Sequence, residues 1–243
     1  MASRRGSVRI GTSGYQYEDW RGRLYPRDLP RKQWLPFYAQ HFDSVEINST
    51  FYRLPELRVF DAWREATPAG FCFALKFSRY GSHLKHLRDP GPTLEAFLER
   101  AHQLREKLGP ILIQLPPRWA PDLERLEGFL ALAPRELRWA IEFRDPRWLC
   151  TPVYEILRAH GAALCIHDLI ARHPRELTSD WVYLRFHGDG YSGSYSRQFL
   201  VAQAKRIADY RARGIDVYAY FNNDARGYAA ANASDLSRYI GPD

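Results

Sequence analysis

The segment Ser44-Val-Glu-Ile-Asn48 reads as a short β-strand in which apolar and polar side chains alternate. Successive side chains of a strand point to opposite faces, so Val45 and Ile47 share one face and Glu46 lies on the other. A parallel strand that is buried on both faces is usually apolar throughout, so a polar face is unusual here. The pattern therefore predicts a strand that leads into a polar pocket.

Further segments of the chain repeat this arrangement, because each joins a short apolar run to a polar residue at its end. A helical pattern or a long loop follows each of them. Strands that alternate with helices are typical of a parallel sheet. The predicted strands span residues 8–13, 44–48, 71–77, 111–115, 139–144, 163–168, 182–187 and 217–222.

Helical periodicity fills most of the intervals between these strands, and proline or glycine marks many of the helix ends. The interval between residues 168 and 181 leaves little room for a full helix, so we expect the sixth helix to be short or missing. The predicted helices span residues 31–41, 56–66, 93–108, 122–132, 153–160, 197–213 and 225–239.

The alternation predicts an α/β protein with a single (β/α)8 TIM-type barrel in residues 1–243 and a core at about 8–240. Antiparallel sheets with one solvated face also alternate, but the intervening helices favour the barrel. Barrel enzymes build their sites at the C-terminal ends of the strands, so the polar residues there should converge at one mouth. Because the inward face is so polar, we expect a lumen that is wet or ligand-filled near its top.

Composition sets outer bounds on the function. The formal charge of +7 favours polyanionic or phosphorylated partners. The three cysteines are widely spaced and form no CxxC pair, so we expect buried free thiols. We see neither an apolar signal region nor a stretch of membrane-spanning length, and we expect a cytoplasmic protein that does not bind membranes. The absence of P-loop and GxGxxG fingerprints leaves ATP and dinucleotide cofactors unsupported.

The connection between residues 13 and 30 is long for a loop between a strand and a helix. It carries Tyr15, Tyr17, Trp20 and Tyr25, which is too much aromatic surface for a disordered segment. We therefore expect an ordered wall or lid over the barrel mouth. The glycine-rich segment 186–195 lacks the P-loop spacing, so a phosphate cradle is only one interpretation of it.

Six motifs follow one another along the chain: Gly11-Thr-Ser-Gly-Tyr15 with Trp20, Val45-Glu-Ile-Asn-Ser-Thr-Phe-Tyr52, Ile113-Gln-Leu-Pro-Pro117, Glu142-Phe-Arg144 with Trp148, Arg185-Phe-His-Gly188 and Tyr220-Phe-Asn-Asn-Asp224. In this order they resemble the YecE-like family, which is the domain of unknown function 72. The resemblance covers nearly the whole chain and implies a TIM-type barrel, but it implies no established reaction. The sequence departs from the family pattern downstream of Lys76, where Ser82-His83 replaces a Thr-His pair.

Charged side chains predicted to face the lumen are the first candidates for catalysis. Glu46 and Glu142 on opposite walls could divide acid and base roles if their environments separate their pKa values. The alternative is a buried ion pair between Glu46 and Lys76 that satisfies two inward charges. Arg144 and Arg185 could neutralise a phosphate or carboxylate, or they could simply partner the glutamates.

A divalent-metal centre is a further interpretation of the same region. With Glu46 and Glu142, the polar strand ends could supply oxygen and nitrogen ligands suited to zinc or manganese. No HExxH or similar short spacing supports such a centre, and the nearby cations already neutralise the carboxylates. No cofactor is therefore assigned. The additional ligands would be His167, Asp168, His187 and Asp224.

Neutral and aromatic side chains complete the candidate substrate site. Amides suit the recognition of base edges or sugar hydroxyls, and the four near the predicted mouth are Asn48, Gln114, Asn222 and Asn223. Aromatic faces could form stacking walls for a planar or carbohydrate ligand, although loop packing is the favoured interpretation for each tryptophan taken singly. The aromatic candidates are Tyr15, Trp20, Tyr52, Trp148, Tyr191 and Tyr195.

Three functional hypotheses remain open. The leading one is a protein that binds DNA, RNA or a nucleotide-like phosphate and cleaves a phosphodiester. Glu142 would be the general base or metal ligand, Lys76 and Arg185 would stabilise phosphate charge, and His187 would be the acid. The second is a hydrolase or isomerase acting on a sugar or sugar phosphate through Glu46 and Glu142. The third is a binding module without catalysis. A basic groove beyond the mouth would favour the first, and a deep narrow pocket the second.

Overall fold

The computed structural model describes residues 4–188 and 193–241, and parallel strands form its central sheet. The strands are β1 (Val8–Thr12), β2 (Ser44–Ile47), β3 (Cys72–Lys76), β4 (Leu108–Gln114), β5 (Trp139–Glu142), β6 (Ala163–His167), β7 (Trp181–Phe186) and β8 (Asp216–Phe221). They hydrogen-bond in the order β1-β8-β7-β6-β5-β4-β3-β2. The predicted (β/α)8 TIM-type barrel is thus confirmed.

Helices surround this sheet and follow most of the strands. They are α1 (Trp34–Tyr38), α2 (Ser49–Tyr52), α3 (Leu57–Glu65), α4 (Gly91–Ala101), α5 (Leu123–Leu132), α6 (Thr151–Ala159), α7 (Arg197–Ala212) and α8 (Tyr228–Ile240). Residues 168–180 contain no helix, which confirms that the sixth crossover lacks one. Periodicity did not predict α2 or the π-helical turn Tyr80–Leu84, because such short elements carry no repeating apolar pattern.

The seam between β1 and β2 closes the barrel in an irregular way. A single β-bridge joins Ser13 to Glu46 there. Next to it the Tyr38 hydroxyl accepts a hydrogen bond from Thr12 N at 2.9 Å and donates to Ser44 O at 3.0 Å, so it links the two backbones. The strands approach so closely that a Cβ on residue 11 would lie 2.0 Å from Ser44 O. Only glycine fits at this position, and the closure places Ser13 and Glu46 at the mouth.

Strand parity divides the buried side chains into two groups, as the alternation predicts. Outward side chains such as Val45, Ile141 and Leu184 pack in the large outer core with the helices. A smaller inner cluster fills the lumen with Ala74, Leu112, Ala140, Ala163, Cys165, Trp181, Tyr183, Tyr218 and Tyr220. Above this cluster, Arg185 with 1% exposure and two fully buried glutamates occupy the axis. The expectation of a wet or ligand-filled lumen is therefore wrong at this depth, because protein side chains fill it.

Two other expectations concern the cysteines and the long first loop. All three cysteines are free thiols, with Cys165 buried and the other two half-buried. The loop after β1 is ordered, as predicted: Trp20 is fully buried, and its indole Nε1 donates to Asp224 O at 2.8 Å. This contact fixes the loop against the segment that follows β8. No helix in the described ranges is long and apolar enough to cross a membrane.

Candidate functional site

Arg185 of β7 lies at the centre of the upper lumen. Its Nη1 donates to Glu142 Oε2 at 2.5 Å, and its Nη2 donates to Glu46 Oε1 at 2.7 Å and to Ser13 Oγ at 3.1 Å. Both glutamates are fully buried. The structure therefore favours the alternative in which the arginine partners the glutamates. Both of its Nη groups already donate hydrogen bonds within the protein, so they are not free for the phosphate contact that the sequence also allowed.

Glu46 of β2 has further partners on the β1 and β7 sides. Its Oε2 accepts from the Tyr183 hydroxyl at 2.7 Å, and its Oε1 also accepts from the Ser13 hydroxyl. Asn48 Nδ2 donates to Ser13 Oγ at 2.7 Å, which extends the network towards the mouth. The Oδ1 atom of Asn48 is buried and has no hydrogen-bond partner among the described residues. This oxygen is an acceptor that a ligand donor at the mouth could satisfy.

Glu142 of β5 is held by two arginines. Its Oε2 accepts from Arg185, and its Oε1 accepts from Arg144 Nε. Burial alone would raise the pKa of Glu142, but the two guanidinium groups outweigh it and hold the pKa well below its usual value. A carboxylate with so low a pKa is a weak proton acceptor at neutral pH. The structure thus favours a positioning role for Glu142 over the general-base role that the sequence predicts.

Arg144 connects this ion network to the loops after β4 and β7. Its Nη2 lies 3.2 Å from Gln114 Oε1 and 3.4 Å from His187 Nε2. His187 Nδ1 lies 3.1 Å from Asp168 Oδ1, and the same oxygen accepts from the His187 backbone at 2.9 Å. The Tyr195 hydroxyl donates to the other oxygen of Asp168. The carboxylate thus fixes the orientation of the imidazole, with the Nδ1 proton towards Asp168.

The ionisation of His187 and Asp168 follows from these contacts. Burial, and then the charge of Arg185, lower the pKa of His187, in spite of the hydrogen bond that its Nδ1 donates to Asp168, which raises it. Burial raises the pKa of Asp168, but its hydrogen bonds with His187 and Tyr195 produce a net lowering. The pair therefore contains a neutral imidazole and an ionised carboxylate near pH 7. This state suits His187 to accept a proton before it donates one.

Lys76 at the end of β3 is a buried cation with 8% of its surface exposed. Its Nζ lies 4.3 Å from the centre of the Phe51 ring. Burial, and then the charge of Arg185, lower the pKa of Lys76 to about 8. No carboxylate in residues 4–188 or 193–241 lies within ion-pairing distance of Nζ. The alternative of a Glu46–Lys76 ion pair is therefore wrong, because Glu46 pairs with Arg185.

His83 is a site residue that sequence reasoning did not select. It lies in the π-helical turn Tyr80–Leu84, with Nδ1 3.0 Å from Ser82 Oγ and Nε2 3.5 Å from Gln114 Nε2. Its ring meets Phe51 edge-on at 5.0 Å. Burial, and then the charge of Lys76, lower the pKa of His83 to about 4. The Ser82-His83 pair was the available signal, but sequence could not show that the turn brings it beside Lys76.

Several other candidates lie outside this network. Tyr15 is buried with its ring 6.2 Å from that of Tyr38, so it packs in the core. Trp148 is fully buried and stacks on Phe143, which confirms the packing interpretation for this residue. Tyr52 is 76% exposed, so it is available at the rim of the mouth.

The candidates after β6 and β8 have mostly structural contacts. His167 Nε2 lies 2.9 Å from Phe143 O, where the ring can donate to that carbonyl. Asn223 Nδ2 donates to Gly193 O at 2.8 Å and to Asn232 Oδ1 at 2.9 Å, which ties the β7 and β8 loops together. Asn222 is half-buried, as is Asp224, whose pKa burial raises. The Tyr191 candidate and residues 189–192 of the glycine-rich segment lie outside the described residues.

The metal interpretation finds no matching ligand set. Within the described ranges, no group of at least three histidine, cysteine, aspartate or glutamate side chains has the arrangement to hold a metal ion. The two glutamates at the axis face arginines instead. The site is therefore best described as a network of ion pairs with an additional lysine, and no step of its chemistry is assigned to a metal.

Comparison with known proteins adds family membership to this geometry. Residues 9–243 match the model of a protein family described as "Protein of unknown function DUF72". The UPF0759 protein YecE of Escherichia coli K12 is 38% identical over 112 residues, which are 46% of this chain and 41% of YecE. The matched segment is therefore less than half of that relative. The UPF0759 protein YunF of Bacillus subtilis is 25% identical over 94% of this chain and 93% of its own.

A solved structure supports the same relationship. The crystal structure of a DUF72 family protein from Thermotoga maritima superposes with a TM-score of 0.86 at 30% sequence identity. The superposition covers 97% of this chain and 100% of that one. Since the family match and this structural match both span nearly the whole chain, the protein belongs to the DUF72 family of unknown function.

Proposed function

We propose that the barrel mouth binds a phosphate-bearing ligand, either a nucleotide or a nucleic-acid strand, with a phosphate group beside Lys76. The observation that carries this proposal is the charge of Lys76. Arg144 and Arg185 pair with Glu142 and Glu46, whereas no carboxylate of the described residues lies within ion-pairing distance of the lysine. A buried charge without a partner is costly, and a phosphate at the mouth would supply the missing counter-charge.

The rim of the mouth supports a ligand with aromatic bases. Tyr52 and Tyr80 follow the neighbouring strands β2 and β3 and are 76% and 52% exposed. The Tyr52 ring meets Phe51 edge-on at 5.0 Å, and Phe51 in turn lies under Lys76. Exposed aromatic faces bind unstacked bases with about 1–3 kcal/mol each. A phosphate at Lys76 would therefore place the adjacent base within the aromatic rim.

Basic residues continue outward from the same loops. Arg53 and Arg79 are exposed next to Tyr52 and Tyr80, and Lys85 Nζ lies 5.9 Å from the centre of the Tyr80 ring. Alternating aromatic and basic groups are typical of surfaces that bind single-stranded nucleic acid. This arrangement favours a strand over an isolated sugar phosphate.

Hydrolysis of a phosphodiester is the reaction that these groups support best. Neutral His187, oriented by Asp168, would release Arg144 from Nε2, accept a proton there from the attacking water and pass it to the leaving oxygen, while Lys76 and Arg144 would stabilise the charge that develops on phosphate. Glu46 and Glu142 would hold Arg185 and Arg144 in position. A sugar-phosphate enzyme with the two glutamates as acid and base is less favoured, because both carboxylates are locked in ion pairs.

Fluorescence anisotropy of labelled single-stranded DNA and RNA, measured against salt, tests the proposal. Binding should weaken linearly with the logarithm of salt concentration. Lys76→Met should weaken binding and reduce the slope by about 0.7, which is the value for one phosphate contact on a single strand. Tyr52→Ala should weaken binding with little change of slope.

Arg135→Gln is the matched control, because Arg135 is exposed in the turn before β5 at the opposite end of the barrel. Its loss removes the same formal charge and should leave affinity unchanged apart from a small long-range effect. Competition by a nucleoside monophosphate and by glucose 6-phosphate separates the two phosphate classes. The proposal is wrong if the three variants bind alike, or if only the sugar phosphate competes.

A further inference from the structure

The missing sixth helix leaves part of the barrel wall without its usual cover. Residues 168–180 cross from β6 to β7 without a helix. The vacated space holds a cavity of about 260 Å3 lined by Ile166, Leu184, Phe186 and, from α7, Phe199. Leu184 and Phe186 belong to the outer core and point away from the lumen. This space, named here the β6–β7 cavity, lies against the outer face of the two strands, and Asp168 and Arg185 of the mouth network also contribute to its lining.

Three arginines give the β6–β7 cavity a cationic wall. Arg172 and Arg175 come from the crossover, and Arg206 comes from α7. None of them forms an ion pair with a carboxylate in the described part of the chain, and Arg206 Nη1 donates only to Gln203 Oε1 at 3.3 Å. Burial, and then the nearby charge of Arg175, lower the pKa of Arg206. Asp168 also lines the cavity, but its carboxylate already has His187 and Tyr195 as partners, so the three arginines leave the wall with a net positive charge that favours an anion.

His173 adds a specific hydrogen-bond acceptor to the same wall. Its Nδ1 lies 2.7 Å from Pro174 O, and a carbonyl can only accept, so Nδ1 carries the proton. Burial lowers the pKa of His173, which keeps the ring neutral. The Nε2 atom is then a lone-pair acceptor, and it is buried without a partner among the described residues. Because His173 lines the cavity, a ligand hydroxyl could satisfy this atom.

We propose that the β6–β7 cavity binds a small organic acid with an apolar body and a hydroxyl group. The carboxylate would contact Arg175 and Arg206, the apolar body would lie against the strand side chains, and the hydroxyl would donate to His173 Nε2. A cavity of about 150 Å3 is enough for benzene, so about 260 Å3 has room for one ring with a short acidic arm. This inference does not depend on the function proposed for the mouth.

The probes are 4-hydroxyphenylacetate, phenylacetate, the neutral phenylacetamide and acetate, which has no ring. Affinity is measured by titration of the full chain with NMR and by ligand-induced thermal stabilisation. We expect 4-hydroxyphenylacetate to bind more tightly than phenylacetate, and both to bind at least about tenfold more tightly than the amide or acetate. Equal affinity for acid and amide would overturn the proposal, and so would no binding at millimolar concentration.

Variants locate the ligand within the molecule. Arg206→Gln should weaken binding of the acids by about tenfold or more, whereas Arg135→Gln should not change it. Ala171 is exposed and lines the cavity from the crossover, so Ala171→Trp should place a large ring in it and abolish binding. Lys76→Met should leave binding of the acids intact, which separates this site from the mouth. Unchanged affinity in both Arg206→Gln and Ala171→Trp would refute the assignment.

Discussion

The two ends of the barrel each hold a cluster of charges, and the clusters differ in how their cations are paired and exposed. At the N-terminal end, Asp216 accepts from Arg4 Nη2 at 2.9 Å, Arg138 Nη2 at 2.7 Å and Ser7 N at 2.8 Å. The arginine side chains are 68% and 36% exposed, so water solvates the cation in excess. The charges of this cluster are therefore stabilised by one another and by solvent, without a ligand.

At the C-terminal end, Lys76 has no carboxylate partner among the described residues, and protein covers most of it. Arg185 is buried below it and pairs with Glu46 and Glu142, and Arg144 pairs with Glu142 as well. Since no carboxylate of the described residues pairs with the lysine, the proposed function places an anionic ligand at this end. The difference agrees with the general rule for TIM barrels, in which the N-terminal face contributes stability and the C-terminal face contributes function.

Removal of Arg185 should give the largest effect on stability. Arg185→Met would leave the buried carboxylate of Glu46 without a cation and Glu142 with Arg144 alone, and the free energy of unfolding should fall by about 3–5 kcal/mol. Urea denaturation at pH 7 measures the loss. A decrease below about 1 kcal/mol would mean that the network is not the packed, buried unit described above.

Asp216→Asn should destabilise the protein by about 2 kcal/mol without changing ligand affinity. Burial opposes the ionised form of Asp216, but hydrogen bonds from Ser7 and the arginines lower its pKa from 3.8 to about 2. As pH falls, Asp216 therefore binds a proton in the unfolded chain before it does so in the folded protein. The stability that Asp216 contributes is present above about pH 4 and is lost as pH falls towards 2. Urea denaturation across that range should show the wild type converging on the variant. Altered nucleotide affinity in Asp216→Asn would contradict the division between the two ends.

Lys76→Met should change stability in the opposite direction and raise the free energy of unfolding by about 1–2 kcal/mol at pH 7. The folded state lowers the pKa of this lysine, so the charged form is disfavoured there. Stability of the wild type should correspondingly rise between about pH 8 and 10, whereas the variant should lack this rise. Paired denaturation curves at pH 7 and 9.5 provide the measurement. Destabilisation by Lys76→Met would instead indicate a structural cation.

Ligand affinity should show a smaller but diagnostic dependence on pH. Lys76 loses its charge as pH rises through about 8, where a nucleoside monophosphate keeps a constant charge. The Kd should therefore rise by up to about tenfold per pH unit above 8. Lys76→Met should bind weakly with no such dependence. If the Kd of the wild type does not change with pH, Lys76 does not contribute its charge to phosphate binding at the mouth.

The sequence predicted the frame of the fold because strand alternation and helix punctuation are local signals. The polar face of Ser44 to Asn48 and of Tyr183, Arg185 and His187 correctly indicated which side chains point into the lumen. The absence of a helix between β6 and β7 could also be predicted, because the connection is too short for one. Short elements such as α2 could not, because they are stabilised by tertiary contacts, including the Thr50 hydroxyl that donates to Lys76 O at 2.7 Å.

The roles within the site were harder to predict than its position. Parity places Glu46, Glu142, Lys76 and Arg185 on one inner surface, but it does not decide which cation pairs with which carboxylate. That choice depends on distances across the barrel, and Arg185 reaches both glutamates while Lys76 reaches neither. The contribution of His83 depends on a π-helical turn that no periodicity reveals.

The most direct test is the pKa of Lys76, measured by NMR on protein labelled with 13C at lysine Cε. The chain has five lysines, and Lys76→Met assigns the signal. We predict a pKa of about 8 in the free protein and an upward shift when a nucleoside monophosphate is added. A pKa near the ordinary 10.5 that does not respond to the nucleotide would contradict the view that the mouth holds an uncompensated cation for an anionic ligand.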